Sequence, residues 1–174
     1  TQELWKKNEI APRAIDREVA TSMHMTHMGC SSLPEALIKQ SIRAGLCDGW
    51  GGSMMGTEFS DVLFGTPKPV DTEANLGVMN ADNVNIVVHG HDPSLSEMIC
   101  EYADDPEMIA YAKEMGAKGI TVSGVCCTSN EVAMRRGIPM AGNFLQQENV
   151  VLTGACEAIV VDVQCIFPAL GPLS

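Results

Sequence analysis

The spacing of apolar residues changes near Gly65, and the change splits the chain into two regimes. Before it the pattern is helical. Pro12 sits near the first turn of a helix that runs to a stop at Gly29. Ser32 is placed as the N-cap of a second helix, with Pro34 in its first turn and an end around Cys47-Asp48-Gly49. A third helix follows Trp50-Gly51-Gly52 and reaches Phe64-Gly65. Thr66-Pro67-Lys68-Pro69 reads as a linker, because two prolines in four residues block both a helix and a ladder. Beyond Val70 short apolar runs alternate with helical patterns. Strands are predicted at 75–78, 84–89, 119–125 and 158–164, with a brief strand or turn at 138–140. Helices are predicted at 93–103, 106–115, 130–137 and 144–152. Such alternation implies βαβ units with right-handed crossovers. The predicted fold is α/β: a helical segment over 1–67, then a partial Rossmann-like parallel sheet with crossover helices over 68–174.

Three of these strands end in side chains that bind metals. The run over 84–89 stops at His89-Gly90-His91-Asp92-Pro93, that over 119–125 at Cys126-Cys127, and that over 158–164 at Cys165. Continuous apolar runs suit strands buried on both faces of a parallel sheet, and open α/β sheets bind ligands beyond their carboxyl ends. The three ends together point to a metal centre. Each residue also has a plainer reading. His91 serves equally as a loop or capping residue, and only one of His89 and His91 is expected to address a shared centre. Of the vicinal pair, one cysteine is a buried hydrophobe and the other a thiolate at a helix start, where the dipole favours it; Cys127 is taken as that thiolate. Cys165 alone reads as core.

Composition removes several classes. A net charge of −11 argues against nucleic acid and against an anionic membrane surface. No apolar run is long enough to span a bilayer, so a cytoplasmic protein is expected. Seven cysteines, an odd number, fit metal or redox chemistry better than a disulfide framework. Met23, Met25 and Met28, with His24 and His27, suggest a copper box, but Met28, His24 and Cys30 do not converge at one helical phase, so packing between helices explains them better than copper. The chain opens at Thr1 without methionine and closes at Gly171-Pro172-Leu173-Ser174, which reads as a piece of something longer.

VNIVVHGHDPSLSEM, GITVSGVCCTSNEVAMRRGIP and AIVVDVQCIFPAL, taken together, closely resemble the catalytic subunit of nickel-dependent anaerobic carbon monoxide dehydrogenases. APRAIDREVATSMHMTHMG, CDGWGGSM, DVLFGTPKPV and EANLGV extend the resemblance over essentially the whole chain. It implies a nickel–iron–sulfur cluster, an NiFe₃S₄ unit with a pendant iron. His91 and Cys127 would hold the pendant iron, Cys165 an iron of the cubane, and Asp48 would orient a proton-shuttling histidine. Thiolates suit iron–sulfur clusters and imidazole the pendant iron. The implied reaction is reversible oxidation of CO with water to CO₂, passing two electrons to a ferredoxin-type carrier through further 4Fe-4S clusters outside this chain. A homodimer and association with acetyl-CoA synthase belong to the same expectation. The other cluster cysteines, the catalytic lysine and the acid–base histidine lie outside this stretch, so the segment alone is expected to be inactive. A hybrid-cluster, hydroxylamine reductase-like protein or a non-enzymatic iron–sulfur module are the alternatives.

Overall fold

A computed structural model describes residues 1–163 and 165–173 and divides them into two compact units, one ending at Val62 and the other beginning at Leu63. Helices α1 (Gln2–Lys7), α2 (Ile15–Thr26) and α3 (Pro34–Asp48) form the first unit. A π-helical turn over Gly49–Met55 follows without a break and leads into α4 (Gly56–Phe64). Several boundaries differ from the sequence reading, and α2 ends at Thr26 rather than at Gly29. Pro12 lies outside any helix, and Ala14, extended at φ −171°, stands at the cap of α2. Leu33 rather than Ser32 precedes α3, with no side-chain cap, so Pro34 alone marks that start. The Gly-rich stretch at 49–52 continues the helix as a wide turn instead of breaking it.

Helices α2 and α3 meet around one buried carboxylate. Glu18 accepts Arg13 Nε at 2.8 Å and Arg13 Nη2 at 2.7 Å, and Gln40 Nε2 reaches its Oε2 at 2.8 Å. A carboxylate this enclosed persists only when paired and hydrogen-bonded on every side. The Arg13 bonds hold its pKa down at about 2, against the opposing pull of burial.

The second unit is a four-stranded parallel sheet in the order β3-β2-β1-β4. Its strands are β1 (Val84–Gly90), β2 (Ile120–Val125), β3 (Met140–Gly142) and β4 (Ala158–Val161). Helices α5 (Pro93–Ala103) and α6 (Pro106–Glu114) connect β1 to β2, α7 (Cys126–Arg136) connects β2 to β3, and α8 (Gln147–Leu152) leads to β4. A short α9 (Leu170–Leu173) closes the described chain. Val87, Val88 and Val125 are wholly buried, as a doubly covered parallel sheet requires. Val87 and Val125 pack in a core with Met79, Cys126, Ala141 and Val150. The strand predicted at 75–78 is instead a 3₁₀ turn over Leu76–Val78, because the Asn75 side chain accepts the Gly77 amide and diverts the backbone. The Ala74–Met140 bridge and the Asn75 amide, which donates to the Met140 carbonyl at 2.9 Å, tie it to the sheet.

The strand order fixes where a ligand can sit. From β1 the chain moves outward to β2 and β3, then returns across the sheet to place β4 on the other side of β1. The carboxyl ends of β1 and β4 therefore flank a topological switch point, the place where open α/β sheets leave a crevice.

Candidate metal centre

The residues leaving that crevice are the ones with metal-binding side chains. His91 follows β1, Cys126 follows β2, and Cys165 lies beyond β4. Among the described residues these three form a group whose ligand atoms all lie within 4.8 Å of one another. A tetrahedral ion with N and S donors sets them roughly 3.3–3.8 Å apart, within reach of small side-chain adjustments. An imidazole with two thiolates fits iron, zinc or an iron–sulfur unit, and suits calcium or magnesium poorly.

Cys127 begins the exposed side of α7, and its sulfur stands 4.0 Å from that of Cys126. The geometry thus brings Cys126 into the group of three and leaves Cys127 beside it. Helix phase is the reason. Val125 is the extended residue before α7, and Cys126 turns into the helix with φ 71° and a buried side chain. Gly124 admits this tight junction, since a Cβ there would lie 2.0 Å from Cβ of Ser129. Ser129 Oγ donates to the Cys126 carbonyl at 2.9 Å. Cys165 is also left-handed, at φ 57°. Non-glycine residues in this region cluster at sites where surrounding structure over-determines them.

His91 is held from two directions. Its backbone amide donates to Asp162 Oδ1 at 2.6 Å, and that of Asp92 to Asp162 Oδ2 at 3.1 Å. Its ring Nδ1 lies 3.1 Å from the Val163 carbonyl. A carbonyl only accepts, so Nδ1 carries the proton and Nε2 is left with its lone pair, the arrangement that orients metal-binding imidazoles. Gly90 makes room: at φ 132°, a Cβ on it would lie 1.8 Å from Asp162 Oδ1. Asp92 caps α5 by accepting the Ser94 amide at 2.9 Å. Thr128 Oγ1 donates to the Asp92 carbonyl at 3.1 Å and pairs with Ser96 Oγ at 2.7 Å, tying α7 to the histidine turn.

His89 points the other way, wholly buried, with Nε2 2.9 Å from Oε1 of Gln147. Asp48 ends α3 in the first unit, exposed, with its carboxylate over Gly52. Withdrawal from water raises the Cys126 thiol pKa, and the neighbouring Cys127 adds to the shift. Lost hydration and the facing Cys126 raise that of Cys165. Clustered thiols without a cation favour their protonated forms. Asp162, Gln147, Ser96 and Thr128 carried no sequence signal, because what they hold lies far along the chain.

Fold and donors define an α/β domain of Rossmann type with a candidate metal site of two thiols and an imidazole at its switch point. The chain belongs to the Prismane/CO dehydrogenase family, whose model matches residues 1–174. It is 56% identical to carbon monoxide dehydrogenase 1 of Methanosarcina mazei, over 98% of this chain and 27% of that protein. It is 44% identical to the carbon monoxide dehydrogenase/acetyl-CoA synthase subunit beta of Moorella thermoacetica, over 99% of this chain and 25% of that protein. A solved structure of a nickel-free carbon monoxide dehydrogenase from Thermococcus sp. AM4 superposes with a TM-score of 0.90 at 57% identity, covering 98% of this chain and 27% of that one. The chain thus spans about a quarter of the length of these relatives.

Proposed function

We propose that this chain is one segment of a longer carbon monoxide dehydrogenase subunit and supplies part of the ligand set of its nickel–iron–sulfur centre. The observation that carries the reading is the convergence of His91, Cys126 and Cys165 from three separate strand ends onto one crevice. The donor set fits the group. Soft thiolates suit the sulfur-bridged irons, and a neutral imidazole nitrogen suits a further iron bound at the rim. His91 would hold that iron through Nε2, with Cys127 as its thiolate by resemblance and Cys126 beside it in reach of the same position. Cys165 would hold an iron of the cubane.

When bound, such a centre supplies Lewis acidity and two-electron redox capacity for the oxidation of CO with water to CO₂. This chain's own residues do the positioning. Asp162 holds the His91 backbone amide, and the Val163 carbonyl orients the ring through Nδ1. The buried valines of β1 and β2 hold the turns rigid from below. In the proposed enzyme, electrons pass to a ferredoxin-type carrier and the subunits pair as a homodimer. Asp48 orients a histidine that lies outside this stretch.

The test is anaerobic purification of the full-length subunit, with nickel and iron counted per subunit and CO-dependent reduction of a viologen dye. Nickel together with iron and dye reduction is expected, and His91→Ala or Cys165→Ala should abolish the activity. Iron without nickel in competent protein would move the reading to the hybrid-cluster class. Zinc without visible absorption would reduce the site to a structural one.

A further inference from the structure

The Cys165 turn is tied to residues far from it in sequence. Its carbonyl accepts Gln147 Nε2 at 2.9 Å, and two residues on, the Phe167 amide donates to Gln147 Oε1 at 2.8 Å. The same Nε2 also donates to the Phe144 carbonyl at 2.6 Å. Phe144 and Phe167 meet edge to face with centroids 6.3 Å apart, joining the same two segments a second time.

These partners leave Gln147 no freedom. Two backbone carbonyls can only accept, and one backbone amide can only donate, so they fix which end of the side-chain amide is oxygen. His89 Nε2 faces that oxygen at 2.9 Å and must therefore carry the proton it donates. Gln147 then uses both donors and both acceptor sites, with Gln147 and His89 each at 0% exposure. A wholly buried, fully satisfied amide is a rigid strut, because every alternative rotamer strands several polar groups away from water. It spans from the rigid sheet, at His89 of β1, to the residue that the site needs in an unfavourable backbone conformation, Cys165 at φ 57°.

We infer that Gln147, oriented by His89, is the positioning residue that holds the Cys165 turn in its left-handed conformation and aims that thiol at the metal centre. The inference rests on the reading of the site given above. It assigns one histidine of the pair to the centre and the other to the frame that presents a second ligand.

The experiment uses the full-length subunit with Gln147→Leu, His89→Leu and His89→Gln. Metal content and the electron paramagnetic resonance signature of the centre are read first. Hydrogen exchange of the Phe167 amide in metal-free protein is compared with exchange in β1 and β2. Gln147→Leu should weaken metal retention by about 10–100-fold, the range usual for groups that orient a ligand. It should alter the resonance signature and speed Phe167 exchange while the strands stay protected. His89→Leu should shift the same readouts less, and His89→Gln, which can still donate to Oε1, should restore them. Should Gln147→Leu fail to accumulate, the two His89 variants decide alone. Wild-type metal content and signature in Gln147→Leu would overturn the inference, as would equal deprotection of β1 and β2 or no difference between the His89 variants. Wild-type protein without nickel and iron would instead defeat the reading of the site.

Discussion

Gly90→Ala offers a sharp test of how the histidine turn is built. The change adds one methyl group, yet two separate costs follow. At φ 132° an L-residue is strained, which costs about 1–3 kcal/mol. The new Cβ would also stand 1.8, 2.3 and 2.7 Å from Oδ1, Cγ and Oδ2 of Asp162, so the carboxylate must leave. It cannot leave without releasing the His91 and Asp92 amides, which it binds at 2.6 and 3.1 Å. Hydrogen bonds to a charged partner contribute about 1.5–3 kcal/mol each, discounted here because water reaches the turn. The two costs together come to about 3–6 kcal/mol of local stability. Asp162→Ala alone should forfeit the bonds without the strain. In that background Gly90→Ala should cost the backbone part only, giving a coupling of about 2 kcal/mol or more between the positions. Native-state hydrogen exchange at the His91 and Asp92 amides, in metal-free subunit, reads the opening free energy directly. Metal retention should fall in parallel, by about 10–100-fold. Equal cost of Gly90→Ala with and without the Asp162 carboxylate would refute the reasoning.

Two further outcomes are expected. Glu18 has a folded pKa of about 2, below its usual value of 4.5, so its contribution is present above pH 4.5 and is lost as pH falls toward 2. That contribution is about 3 kcal/mol; exchange protection of α2, corrected for intrinsic rates, should decline over this acid window in wild type, and Glu18→Gln should lower the protection at neutral pH and flatten the decline. Gly124→Ala should push Ser129 and the start of α7 away, costing about 1–3 kcal/mol and displacing Cys126, whereas Gly137→Ala, at φ 75° in open space, should cost about 1–2 kcal/mol and leave metal content unchanged. Metal analysis beside thermal unfolding of both variants checks this pair, and equal metal loss in the two would contradict it.

The sheet was readable because its signals are local. Largely apolar runs gave β1 and β2, and the Asp92-Pro93 step gave the start of α5, where the Asp92 side chain does accept the Ser94 amide. Strand alternation alone would put His89 and His91, two residues apart, on one face; Gly90 between them, at φ 132°, breaks that regularity, and the two rings point to different surroundings. What escaped the sequence depends on distance along the chain or on a single dihedral. A strand is predicted at 75–78, but one Asn75 side-chain bond makes it a turn. That the buried Cys126 joins His91 and Cys165 in one group turns on a φ of 71°, which adjacent identical letters cannot express. Asp162 and Gln147 look like ordinary polar residues of a strand end and a helix. Their partners lie 71 and 58 residues away in His91 and His89, so only the folded chain reveals them.

That division bears on why the centre can be assembled at all. Cys126 and Cys165 both adopt left-handed backbone, each at a cost of about 1–2 kcal/mol for an L-residue. Ordinary folding terms offset that cost: the Ser129 hydroxyl on the Cys126 carbonyl, the Gln147 amide on the Cys165 carbonyl, and the buried core that includes the Cys126 side chain. A site held this way meets an incoming metal with its ligands already converged, so little binding energy goes to reorganising the backbone. The switch point supplies the crevice, and strained turns on a rigid sheet supply the aim. On this account, variants that relax either turn should lose metal before they lose fold, which is the order in which metal content and strand protection are expected to fail.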